Sequence, residues 1–256
     1  MKKLHFAILT GALFATSVFA QAQDDLAAIK SAGVIKIGTE GTYAPYTYHD
    51  KSGQLVGFDV DIGRAVAEKL GVKAQFIEGR WDGLIAGVDA KRYDVVINQV
   101  GITKERQAKY DFSKPYIDSK AVLITQADNA TIKDFSDLKG KKSAQSLTSN
   151  YAKLATSHGA ELVPTDGFNQ SLDLVLSGRA DATLNDNLSY LDFKKQKPDA
   201  KVKVIATAPT GEPSAILVRK NQPQLVDALN KALDEIKADG TYKTIAVRYF
   251  GQDVSQ

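Results

Sequence analysis

The sequence predicts an α/β protein of two lobes, each a mostly parallel sheet flanked by helices, with two extended strands crossing between them. Three observations carry this reading. Short β-branched runs alternate with helical periods, the pattern of parallel strands joined by crossover helices. A long extended stretch interrupts the alternation, after which the same rhythm starts again. The chain has 256 residues, 43% hydrophobic and 25% charged. That suffices for two domains of roughly 100 residues, each able to close a core without disulfide or metal staples. The same composition excludes a collagen, a coiled coil and a disordered chain.

The first segment, 1–22, reads as a secretory signal peptide: Met1-Lys2-Lys3, then LHFAILTGALFATSVFA ending in small residues. Thr10, Gly11, Thr16 and Ser17 dilute the run below the roughly 20 apolar residues a span requires. A cut after Ala20 leaves Val18 and Ala20 at the small-residue positions and a cut after Ala22 leaves Ala20 and Ala22; the second is preferred, so the mature chain starts near Gln23. Without Lys2 and Lys3 the 33 Lys and Arg fall to 31 against 30 Asp and Glu, a net charge of +1. No basic face for nucleic acid is expected, and the basic cluster in LKGKK (138–142) reads as a solvated turn. With no cysteine, structural disulfides and a lipid-modified cysteine are excluded. The protein is expected free in the periplasm.

The first lobe, 23–117, opens with the strand VIKIG (34–38). FDVDIGRAVAEKLG (58–71) follows as an amphipathic helix with Phe58, Ile62, Ala65, Val66 and Leu70 on one face and Gly71 as its stop. KAQFIE (73–78) is a strand, WDGLIAGVDAKR (81–92) a short helix and YDVVI (93–97) a third strand. PYIDSKAVLIT (115–125) then runs extended into the second lobe, 118–212. There LKGKKSAQS, AELVPTD and ADATLND read as strands, with the helices SNYAKLATSHG (149–159) and FNQSLDLVLSGR (168–179) between them. KVKVIATAP (201–209) leads into SAILVRK (214–220), the return strand of the first lobe, whose last segment is 213–256. NQPQLVDALNKALDEIKADG is a helix with Pro223 in its first turn and Gly240 at its end, and TYKTIAVRYFG is a final short helix. Two lobes joined by two crossings leave a cleft, a favoured place for ligands.

Motifs for other chemistries fail. His49 and His158 stand apart from any His or Cys at ligand spacing, so no metal is expected. Gly140-Lys141-Lys142-Ser143 resembles the end of a phosphate loop, but Phe135 stands where its first glycine belongs. GFDVDIG lacks the spacing of a dinucleotide turn and no G-x-S-x-G elbow occurs. No cofactor is expected, and only paired carboxylates leave an enzyme open.

Polar and aromatic residues instead gather at strand ends. GTEGTYAPYTY (38–48) carries Glu40, Tyr43, Tyr46 and Tyr48, whose rings either face an opening or pack in the rim. Trp81, the sole tryptophan, reads by burial tendency as core. In YDVVINQVGITKERQAKYDFSKPY (93–116) a strand ends in Asn98 and Gln99, passes Gly101 and enters a helical turn at Thr103. The carboxyl end of a strand is where open α/β sheets place ligands. Arg106 can there present a two-pronged guanidinium to a carboxylate, or form a surface ion pair with Glu105 or Asp111. The start of the 149–159 helix offers free N–H groups to an anion.

GTEGTYAPYTY, LVGFDVDIGRAVAEKLG, WDGLIAGVDAKRYDVVINQVGITKERQAKYDFSKPY, SGRADATLND and ADGTYKTIAVRYFG together resemble the periplasmic binding proteins for polar amino acids that serve ATP-driven importers. GTEGTY, RWDG and VVINQV resemble most the cystine-binding type. The resemblance implies the two-lobed periplasmic-binding-protein fold, a monomer without enzymatic activity, and delivery of an L-amino acid to a membrane-embedded ABC permease. It implies that Arg106 pairs with the ligand carboxylate, helped by donors around Gly101 and Thr103 and from Thr148 and Ser149. Asp186 would take the ligand ammonium, with an N-cap of the following helix as its alternative role. The side-chain pocket falls to Glu40, Tyr43, Trp81, Asn98 and Gln99, with Tyr43 and Trp81 flanking sulfur and Glu40 meeting a second ammonium or another cation. Lysine, arginine, histidine and glutamine remain open as ligands, as does a cyclohexadienyl-dehydratase-like enzyme using Glu40 as general acid. One departure stands out: SLTSNY (146–151) has Thr148 where the family commonly has a glycine.

Overall fold

The computed structural model describes residues 25–254. The expected signal segment 1–22, both cut sites and the start near Gln23 lie outside the described residues. After α1 (Asp25–Ala32) the chain forms β1 (Val34–Thr39), a small hairpin-like sheet of β2 (Thr42–Tyr43), β3 (Thr47–His49) and β4 (Leu55–Val56), and α2 (Phe58–Lys69). β5 (Lys73–Glu78), α3 (Trp81–Leu84), α4 (Ala86–Asp89), β6 (Val95–Val96), α5 (Lys104–Lys109) and β7 (Tyr110–Ser119) follow. Then come β8 (Ala121–Gln126), β9 (Lys142–Gln145), α6 (Asn150–Ser157), β10 (Glu161–Pro164), α7 (Phe168–Leu176), β11 (Ala182–Asp186) and α8 (Asn187–Gln196). β12 (Val202–Thr207), β13 (Glu212–Arg219), α9 (Pro223–Ala238) and α10 (Thr241–Phe250) complete it.

Two five-stranded sheets result, ordered β5-β1-β6-β13-β7 and β10-β9-β11-β8-β12. In the first, β5, β1 and β6 are parallel and β13 runs antiparallel to both β6 and β7. In the second, β10, β9 and β11 are parallel and β8 is antiparallel to β11 and β12. The two-lobed α/β architecture is therefore as expected, with three parallel strands in each sheet. The chain passes between sheets at Lys120 and again over residues 208–211, so the boundaries expected at 117/118 and 212/213 fall inside β7 and β13.

Each sheet is covered on both faces. Ile35, Ile37, Phe58, Ile62, Leu229 and Leu233 fill one side of the first, and Leu84, Val88, Tyr93 and Leu217 the other. Ile124, Phe168, Leu172 and Phe193 pack on one side of the second, and Leu123, Leu138, Ala155 and Leu184 on the other. α2 starts at Gly57, whose φ of 135° and contact with Tyr46 leave no room for a side chain: a Cβ would stand 2.1 Å from the Tyr46 carbonyl oxygen. The expected 81–92 helix is instead two single turns, α3 and α4. Tyr93 seats against Gly87, its hydroxyl oxygen 2.1 Å from where a Cβ would be, so this segment follows the tyrosine rather than a continuous helical period.

Candidate functional site

The parallel strands of both sheets end at one cleft. Glu40 follows β1, Asn98 and Gln99 follow β6, Gln145 closes β9, and Asn185 and Asp186 close β11. With Tyr43, Trp81, Ser146, Phe168, Ser171 and the start of α6, residues from these strand ends wall a cavity of about 470 Å³ empty volume. A small inner chamber adjoins it through Gln99, Asn150 and Tyr151, and is completed by Gly101, Ser119, Asp186, Glu212 and Ser214.

Thr103 caps α5, its Oγ1 accepting from Arg106 N at 3.2 Å. This turn carries Arg106 inward: it is 9% exposed, its guanidinium lies 5.3 Å from the Trp81 ring centroid, and Nη1 donates to Gly101 O at 2.9 Å. Glu105 and Asp111 pair elsewhere, with Lys153 and Lys220, so the surface ion pair considered for Arg106 does not form. Burial pulls the Arg106 pKa below its usual value, opposed first by the Glu212 charge. Arg106 is not itself a wall residue; it meets the walls through Trp81 and Gly101, and a buried guanidinium placed there favours an anion.

Asp186 is 1% exposed and is the N-cap weighed for it: its Oδ1 accepts from Ser189 N of α8 at 2.9 Å, and also from the Tyr46 hydroxyl at 2.6 Å. The same side chain lines the inner chamber. Burial raises its pKa, while bonds from Ser119 and Tyr46 oppose the rise. Glu40 is raised to about 7, chiefly by burial, with the Asn98 bond opposing and the Asp82 charge adding. Asn98 Nδ2 donates to Glu40 Oε2 at 2.6 Å while its Oδ1 accepts from Glu40 N at 2.8 Å, a two-way clasp.

Tyr43 lines the cavity and donates to Asn185 Oδ1 at 2.7 Å across the cleft. Trp81, read as core by residue type and as pocket by the resemblance, is at once buried and a cavity wall, its Nε1 without a partner among the described residues. Ser149 caps α6, accepting from Ala152 N at 3.0 Å, and lines the cavity. Thr148 and Thr103 are not on the walls. Thr148 N and Oγ1 each donate to Asp82 Oδ1 at 2.9 Å, because the carboxylate on α3 faces that turn from the opposite lobe. Thr103 is occupied with its cap.

Gln145, Asn150, Tyr151, Phe168, Asn185 and Glu212 are wall residues the sequence reading missed. Gln145 and Asn185 stand at strand ends, so the rule that found Asn98 would have found them. Asn150 and Tyr151 follow from the helix start already singled out. Glu212 sits in GEPS with no local pattern to mark it.

The lobes touch across the cleft. Besides Tyr43 and Asp82, Ser189 Oγ donates to Ala44 O at 2.7 Å and Asn150 Nδ2 to Glu212 Oε2 at 2.6 Å, while Arg80 pairs with Asp166 and Lys153 with Glu105. A closed cleft with a buried cation on one lobe, a buried carboxylate on the other and aromatic walls between them defines a two-lobed solute-binding protein.

Residues 35–252 match the family of bacterial extracellular solute-binding proteins, family 3, and the chain belongs to that family. It is 45% identical over 258 residues to a probable amino-acid ABC transporter-binding protein of Haemophilus influenzae, covering 100% of both chains. It is 48% identical over 233 residues to the L-cystine-binding protein TcyA of Bacillus subtilis, across 90% of this chain and 86% of that one. The crystal structure of the L-cystine solute receptor of Neisseria gonorrhoeae in an unliganded open conformation is 49% identical, with a TM-score of 0.60 over 90% of this chain and 99% of that one. So modest a superposition at such identity is what a closed and an open arrangement of the same two lobes produce.

Proposed function

We propose that this is an exported, monomeric binding protein that encloses L-cystine, leaves it chemically unchanged and presents it to an ABC permease. The observation that supports the reading is the placement of two buried charges on opposite lobes: Asp186 lines the inner chamber, and Arg106 lies against the cavity-wall residue Trp81 and bonds to Gly101 of that chamber. One amino-acid end of the ligand would place its carboxylate at Arg106, the Gly101 turn and the start of α6, and its ammonium at Asp186. The disulfide would lie against Tyr43, Trp81 and Phe168, where a sulfur–aromatic contact contributes about 0.3–1.5 kcal/mol. Glu40, half-neutral near pH 7, would regain its charge beside the second ammonium. The names of the relatives support the same ligand and the same permease class. Lobe rotation would occur at Lys120 and residues 208–211, and the signal segment would be removed before Gln23.

A ligand contacting both lobes stabilises closure by its differential affinity for the closed form. A micromolar dissociation constant corresponds to about 8 kcal/mol, within reach of two charge-assisted contacts and aromatic burial. Calorimetric titration with L-cystine, L-cysteine, L-arginine, L-lysine, L-histidine and L-glutamine tests the reading: L-cystine should bind tightest, and prephenate-like acids should be returned unchanged. A tighter L-arginine, or any turnover, would reject it.

A further inference from the structure

Gln99 follows β6 with φ of 52°, a left-handed conformation uncommon outside glycine. Two bonds to one side chain hold it there: its N donates to Asp59 Oδ2 at 2.7 Å and its Nε2 to Asp59 Oδ1 at 2.8 Å. An ionised carboxylate only accepts, so the amide nitrogen must face Asp59 and the amide oxygen must face elsewhere. That oxygen is buried and has no partner among the described residues. Gln99 lines both the main cavity and the inner chamber, where Asp186 and Glu212 are also acceptors.

We propose that Asp59 is a positioning residue for ligand selectivity: it fixes the Gln99 amide with Oε1 toward the bound molecule, so that the site selects a hydrogen-bond donor there. The inference rests on the amino-acid-binding reading above and adds a third acceptor beside the ligand ammonium. Asp59 lies in the first turn of α2, fully buried, and the titratable groups facing it are Asp186, Tyr43, Tyr116 and Tyr242. Burial pushes Asp59 up to about 7, with the Gln99 bonds opposing and the Asp186 charge adding. Above that pH the carboxylate imposes the acceptor-inward amide. Below it a protonated Asp59 can donate to Oε1, which frees the amide to turn Nε2 inward, so preference for an ammonium weakens as pH falls.

Asp59→Asn tests this, because the oxygen of the introduced amide still takes the Gln99 N–H while its NH2 group demands the Gln99 oxygen and turns Nε2 into the cavity. L-cystine affinity is measured by calorimetry at pH 8 for wild type, Asp59→Asn, Gln99→Met and the double variant. Asp59→Asn should weaken binding about tenfold by setting a donor against the ammonium. In the Gln99→Met background the same change should cost less than about twofold, since its route is gone. An unchanged Asp59→Asn, or an equal loss in both backgrounds, overturns the proposal. If Asp59→Asn does not fold, as judged by thermal unfolding, wild type and Gln99→Met are compared at pH 6 and pH 8. A several-fold steeper rise in affinity with pH for wild type supports the coupling, and equal slopes overturn it. Wild-type protein that binds no amino acid at all overturns both this inference and the functional reading beneath it.

Discussion

Arg106 and Glu40 show how burial decides what a charged side chain does. Arg106 gives one side-chain bond to Gly101 and stacks on Trp81, leaving guanidinium donors for an incoming carboxylate. Arg106→Ala should therefore weaken every amino-acid ligand by about 2–5 kcal/mol, because the ligand carboxylate is left desolvated without its cation; calorimetry across the ligand panel checks this. Glu40 behaves in the opposite sense. Its folded pKa of about 7 lies above the ordinary 4.5, so the folded state holds more protons than the unfolded one between those values and stability declines as pH rises through that window. A ligand ammonium favours the ionised form, so L-cystine should bind more tightly at pH 8 than at pH 6 and release protons near pH 7. Glu40→Gln should diminish that release, which titration in buffers of different ionisation enthalpy measures.

At the scale of elements, the helices were legible where apolar periodicity was long and obscure where tertiary contact set the length. α9 buries Leu225, Leu229, Ala232, Leu233 and Ile236, a stripe along one face, and its Pro223 start and Gly240 stop were readable directly. Leu229→Ala removes a wholly buried side chain from this stripe and should cost about 2–5 kcal/mol of stability, seen as a lower denaturant midpoint with native ligand ranking. The 81–92 segment reads as one helix but folds as two turns around Tyr93, information carried by Gly38 and Gly87 packing on its ring. Strand ends announced Asn98 and Gln99, whereas Glu212 reaches Asn150 only through the return of β13. Proximity of that kind is created by topology, and no window of sequence contains it.

For the whole molecule, closure is sustained by contacts that need not touch the ligand. Asp82 receives Leu147 N at 3.3 Å and Thr148 N and Oγ1 at 2.9 Å from the opposite lobe. The sequence placed Thr148 near the site but could not show that a carboxylate from the other lobe would take its donors. Asp82→Ala should favour the open form and weaken all ligands by a common factor of about tenfold, since exposed hydrogen bonds contribute around 0.5–1.5 kcal/mol each. Calorimetry should show the ranking unchanged, and small-angle scattering should show a larger ligand-free radius; a selective loss for one ligand would contradict this.

The short passages at Lys120 and residues 208–211 have a mechanical consequence. A panel hung from two neighbouring straps can swing readily, but it resists sliding and twisting. The arriving solute thus works against a single soft coordinate, and its grip at two points suffices to stop the swing.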